Sequence, residues 1–191
     1  MATLKPTSRY AGARGQTPAL AELVDSVRAV VTEGRSAADT AAAVGERLGP
    51  YLSREDLLRP DQREGDQDAY RQHLLHAEED GSFSLVSLVW LPGQRTPIHD
   101  HVAWCVVGVH QGAEVEIRYR LVGDGARQYL VPAHTGVNPL HSTCGFAPPG
   151  DIHEVHNDSD AKAISIHVYG ADIRQLGSSV RRRYDLPVKA G

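Results

Sequence analysis

A chain of 191 residues with 41 % hydrophobic and 23 % charged residues is long enough for one domain with a full core, or for a core domain carrying a helical appendage. A net charge of −4 argues against a nucleic-acid surface or a polybasic membrane patch, and the one basic run, Arg181–Arg183, reads as solvated chain. Two cysteines cannot build a disulfide framework, the N-terminal stretch MATLKPTSRYAGARGQ has no apolar targeting core, and no window approaches the roughly eighteen apolar residues of a membrane span, so a cytoplasmic protein is expected.

In chain order, residues 1–16 are polar and aperiodic and read as a loose tail. Residues 17–80 read as a helical region. Thr17-Pro18 has the form of an N-cap and first helical residue, and Leu20, Leu23, Val24, Val27, Val30 and Val31 follow at helical spacing. A second helix is expected after Ser36 through AADTAAAVGERL, stopped by Gly49-Pro50. Ser53-Arg54-Glu55-Asp56 opens a short helix or turn. The stretch DQDAYRQHLLHAEEDG fits neither period cleanly.

Residues 81–191 change grammar. FSLVSLVWL, HVAWCVVGV, EVEIRYRLV, ARQYLVPA, TCGFAPPG, HEVHN and AISIHVYG are short apolar or alternating runs closed by Gly and Pro, the pattern of an all-β sandwich or barrel. The last stretch, ADIRQLGSSVRRRYDL, reads as weakly helical or irregular. The layout is mainly β: a helical layer on a small barrel with a C-terminal extension.

Two stretches carry metal chemistry. In His99-Asp100-His101 the imidazoles lie two apart, so on a strand both face one side while Asp100 faces the other. About fifty residues on comes Pro148-Pro149-Gly150-Asp151-Ile152-His153-Glu154-Val155-His156-Asn157. With Gly93 ahead of His99, the blocks are G-x5-H-x-H and P-x-G-x2-H-x3-N, which resemble the two motifs of the cupin superfamily. That resemblance implies a double-stranded β-helix (jelly-roll) barrel with His99, His101 and His153 as metal ligands. Many cupins place a Glu ligand where this chain has Cys105. Three neutral imidazoles leave the ion its full charge and open positions, a set suited to Fe(II) with an anionic thiolate. Cys105 then stands as a fourth ligand or as a buried apolar residue between Trp104 and Val106. His156, close to His153 in sequence, is the candidate to support it.

In AISIHVYG, Ser165, His167 and Tyr169 alternate, so a hydroxyl, an imidazole and a phenol share one face. Together with the histidines and Cys105 they resemble the thiol dioxygenases, the cysteine dioxygenase family, over roughly residues 65–185. The resemblance implies oxidation of a small thiol to its sulfinate by Fe(II) and O2. Tyr169 would hydrogen-bond oxygen or the substrate carboxylate, and His167 and Ser165 would orient the phenol. It also implies a thioether crosslink site between Cys105 and Tyr169. Gln72 falls where the cysteine-selective branch carries an arginine, which resembles the bacterial Gln-type branch and favours 3-mercaptopropionate. In that branch a C-terminal arginine meets the carboxylate, here expected to be Arg182. L-cysteine or another cysteine-derived thiol is the alternative substrate, and a non-oxygenase cupin, an isomerase or a metal-binding sensor, the alternative class. The expected partners are the thiol and O2, not nucleic acid or membrane, and a homo-oligomer is left open.

Overall fold

The computed structural model describes residues 15–190, so the tail expected over 1–16 lies almost wholly outside the described residues. Helix α1 (Pro18–Val31) begins where Thr17 accepts the Leu20 amide in its side chain at 3.1 Å, and buries Leu20, Leu23, Val24, Val27 and Val30. Helix α2 (Ala37–Leu48) is capped by Ser36, whose hydroxyl accepts the Asp39 amide. The α-helix ends at Leu48 with Gly49 as its C-cap, where the sequence placed the stop. The chain tightens into a 3-10 turn over Gly49–Tyr51 before leaving it.

Ten strands follow: β1 (Arg71–Ala77), β2 (Ser84–Trp90), β3 (His99–His101), β4 (Cys105–Gln111), β5 (Glu114–Val122), β6 (Tyr129–Asn138), β7 (Thr143–Phe146), β8 (His153–His156), β9 (Ala163–Tyr169) and β10 (Val180–Arg183). The short helix α3 (Ile173–Leu176) separates the last two. The strands form two five-stranded sheets, ordered β1-β2-β9-β4-β7 and β10-β3-β8-β5-β6, with every strand pair antiparallel. This is the double-stranded β-helix expected.

Strand alternation divides the apolar residues between two cores. Leu85 and Val89 of β2, Val106 of β4 and Ile164, Ile166 and Val168 of β9 face the helices and pack with Leu20, Leu23, Val27, Val44 and Leu48. Val86, Leu88 and Trp90, Cys105 and Val107, and Ala163 and Tyr169 face the barrel interior. Both faces of β2 and β9 are therefore covered, which is why they read as near-continuous apolar runs. Gly108 lets α2 approach: a Cβ there would sit 2.7 Å from Leu48 Cδ2 and 2.8 Å from Leu52 Cδ2.

Three expectations change. Residues 71–77, inside the region read as helical, form the edge strand β1, whose mixed burial and bulge between Leu74 and His76 explain the unclear period. HVAWCVVGV is two strands, interrupted at Val102–Trp104, where the Val102 amide bonds Ser179 O and Trp104 O accepts the Gly170 amide. The terminal arginines are not irregular chain but β10, a bulged strand paired with β3. Among the described residues no helix is long and apolar enough to cross a membrane.

Candidate metal centre

His99 on β3 and His153 on β8 are register partners, which brings the ligand positions of the two sequence motifs together. The ring centroids of His99, His101 and His153 lie 4.7, 4.7 and 5.0 Å apart, and one nitrogen from each falls within 4.8 Å of the others. All three are buried.

Each imidazole is oriented through Nδ1. His99 donates to Pro97 O at 2.9 Å, His101 to Asp151 Oδ2 at 3.0 Å, and His153 to Glu116 Oε1 at 2.7 Å. These acceptors hold the proton on Nδ1 and leave the three Nε2 lone pairs free for an ion. Burial, aided by the neighbouring imidazoles, pushes His99 down to about 3 and lowers His101, so both are neutral and able to ligate near pH 7. Burial works to raise Glu116, but hydrogen bonds from His153 and Arg118 outweigh it and hold the carboxyl at about 2. Asp151 is lowered likewise, burial being outweighed by the His101 side chain and amide. The donor set fits a divalent metal: three neutral nitrogens, each braced from behind.

Glu116 and Asp151 escaped notice in the sequence. Glu116 lies on the inward register of the alternating run EVEIRY, and Asp151 stands two residues before His153, so both carried a positional signal. His156 does not take the supporting role expected of it. Three residues from His153 it leaves the inner face, and its Nε2 meets Asp158. Asp100 turns away from the histidine cluster, as its spacing required, and binds Arg181 and Tyr184.

Ser165, His167 and Tyr169 lie on the central strand β9 and face the interior. Ser165 Oγ is 2.9 Å from His167 Nε2, and His167 Nδ1 is 3.1 Å from Tyr169 Oη. Trp90 Nε1 donates to Ser165 Oγ at 3.1 Å. The Tyr169 ring stacks 6.3 Å from that of His101. Burial pushes the phenol well above its ordinary value and His167 down to about 3, so both are neutral. Cys105 is a buried apolar neighbour of Val107 and no member of the histidine cluster. Burial also raises its thiol.

The two residues expected to bind substrate lie on the edge strands β1 and β10. Gln72 lies exposed on β1 opposite Leu88, on the register that Leu88 and Trp90 turn inward. Arg182 stands opposite Asp100, with its guanidinium over the Tyr184 ring at 5.4 Å. The bulge at Arg181 shifts the register, and Arg183 is the arginine opposite His99. Its charge reaches Tyr70, whose ring packs 4.6 Å from Trp90.

Among solved structures, the chain is similar to a protein with a double-stranded β-helix domain from Klebsiella pneumoniae, at 14 % identity and TM-score 0.47, covering 62 % of this chain and 87 % of that one. It is also similar to a cupin superfamily protein from Desulfitobacterium hafniense, at 9 % identity and TM-score 0.41, covering 57 % and 84 %. A family model described as cysteine dioxygenase type I matches residues 19–182, a span that holds all three histidines and all but the first residue of α1 and the last of β10. The chain belongs to the cysteine dioxygenase type I family.

Proposed function

We propose that this protein is an iron-dependent thiol dioxygenase that oxidises a small thiol carboxylate, 3-mercaptopropionate before L-cysteine, to its sulfinate: RSH + O2 → RSO2H. The observation that carries the reading is the buried cluster of three Nε2 donors beside the Tyr169 phenol, in a chain of the cysteine dioxygenase family. His99, His101 and His153 would hold the ion, and Fe(II) bound there supplies the redox chemistry that joins sulfur to dioxygen.

The remaining work falls to the chain. Pro97, Asp151 and Glu116 fix the imidazoles and keep them basic at Nε2. Tyr169 holds a hydroxyl at the edge of the histidine cluster, and His167 and Ser165 fix its rotation. The buried walls, Trp90, Val107 and Val155, keep water from the sulfur.

Substrate preference follows from where the cations stand. A guanidinium at position 72 would offer a carboxylate two parallel hydrogen bonds, and Gln72 offers a neutral amide instead. Arg183, opposite His99, is the cation for the carboxylate in this reading, in place of Arg182. Arg118, at the rim of the cleft lined by Phe146, Asp151 and His153, is engaged by Glu116. L-cysteine is the second reading, favoured by the register that sets Cys105 opposite Tyr169.

The test is O2 uptake by anaerobically Fe(II)-loaded protein with 3-mercaptopropionate and L-cysteine in parallel, the product identified as sulfinate. Uptake led by 3-mercaptopropionate supports the reading. Uptake led by cysteine reverses the preference and keeps the reaction. No uptake by folded, iron-loaded protein with either thiol overturns it.

A further inference from the structure

Strand β5 turns two carboxyls into the barrel. Glu116 supports His153, but Glu114, one inward register position deeper, has no such task. Glu114 is 1 % exposed, and neither carboxyl oxygen has a hydrogen-bond partner among the described residues. Burying a carboxyl without a partner is expensive, so its place calls for a role. Burial raises its pKa to about 7, while Ser165 and Trp90, its nearest polar neighbours, draw it down.

Charged and polar groups of several elements act on it or lie along the chain it meets. Glu116 lies on its own strand, Trp90 on β2, Ser165, His167 and Tyr169 on β9, Cys105 on β4 and Cys144 on β7. Ser165 continues as a hydrogen-bonded chain, through His167 to Tyr169. Ser165 Oγ can accept twice and donate once. One acceptance is taken by Trp90 Nε1–H, which leaves its proton to point either to His167 or to Glu114.

We propose that Glu114 is a positioning residue that sets the direction of the Ser165–His167–Tyr169 chain, and thereby whether Tyr169 offers the pocket a proton or a lone pair. With Glu114 ionised, Ser165 donates to the carboxylate, His167 donates from Nε2 to Ser165, and Tyr169 donates to His167 Nδ1. The phenol oxygen then faces the pocket as an acceptor. When one proton enters at Tyr169, the phenol proton moves to Nδ1, the Nε2 proton to Ser165, and the serine proton to Glu114. The chain now ends with Nδ1–H donating to Tyr169 and the new phenol proton facing the pocket. One proton enters and one carboxyl is neutralised. The relay requires the Glu114 carboxyl to turn to hydrogen-bond distance of Ser165 in either state.

The consequence for thiol oxidation rests on the function proposed above, but the switch does not. The test follows the His167 ring by nitrogen-15 NMR in zinc-loaded protein, a diamagnetic form of the holoprotein. As pH rises through about 7, His167 should pass from the Nδ1–H to the Nε2–H tautomer, and Glu114→Gln should abolish the change while leaving the fold intact. Glu114→Leu, which removes the carboxyl without a polar replacement, should do the same. In iron-loaded protein both variants should lower kcat about ten- to hundredfold with little change in KM, and lose the ionisation near 7 from the kcat profile. A wild-type His167 that keeps one tautomer throughout, or a switch that survives in both variants, overturns the proposal. Failure of O2 uptake in a wild type that still switches overturns the function alone.

Discussion

Cys105 and Tyr169 are register partners on the adjacent antiparallel strands β4 and β9, and both face the barrel interior. Directly opposed residues on one face carry their Cβ atoms about 5 Å apart, within reach of a bond between a sulfur and the edge of a phenol ring. The strand break at Val102–Trp104 supplies this register, although only three residues separate His101 from Cys105. During turnover with thiol and O2, a fraction of the protein should become two hydrogens lighter, the hydrogens of the thiol and the ring leaving with oxygen as oxidant. Intact-mass measurement should show the deficit in the wild type and not in Cys105→Ser. An unchanged mass after many turnovers would make Cys105 a packing residue only.

Removing the carboxylate behind a ligand should loosen the ion without unfolding the barrel. Glu116→Gln leaves His153 Nδ1 with a weaker acceptor, and Asp151→Asn does the same for His101. Each should lower iron affinity about ten- to hundredfold, read by competition with a chelator. Equal affinity in the variants would show that the backbone alone orients the rings.

Metal-free protein should be most stable near neutrality. His99 and His167 are depressed from 6.5 to about 3, so the unfolded chain binds their protons first. Their contribution is complete above pH 6.5 and falls away toward pH 3, each with a slope of up to about 1.4 kcal/mol per pH unit. Glu114 acts in the other direction, because its carboxyl is raised from 4.5 to about 7: its contribution is complete below 4.5 and lost as pH rises through 7. Thermal melting across this range should give a maximum that moves to higher pH in Glu114→Leu. A flat acid limb in the wild type would contradict the burial of the two histidines.

Substitution within the arginine run should separate by register. Arg183→Leu should raise KM for a thiol carboxylate by about tenfold or more, the cost of losing one charge-assisted contact. Arg182→Leu, which loses the stack on Tyr184, should leave KM nearly unchanged. Equal effects from the two would remove Arg183 from the site.

Helix α2 should tolerate no side chain at Gly108. A Cβ there meets Leu48 and Leu52 below 3.0 Å, so Gly108→Val should cost about 1–3 kcal/mol in denaturant unfolding, with the histidine cluster retained in the folded fraction.

The sequence by itself determined the β-rich body, helices α1 and α2 with their caps, and the three histidines that cluster. These features rest on short-range rules: helical spacing, the period of two along a strand, and turn residues at fixed offsets. His99 and His101 face one side because any strand would make them do so, and Ser165, His167 and Tyr169 align for the same reason. Only the tertiary structure decided what stands behind them. Glu116 reaches His153 through strand pairing 37 residues apart in sequence, and Glu114 lies under Ser165 because two sheets face each other. The strand β1 was obscured because an edge strand is covered on one side only, and Arg183 rather than Arg182 stands opposite His99 because one bulged residue exchanges the faces of everything beyond it.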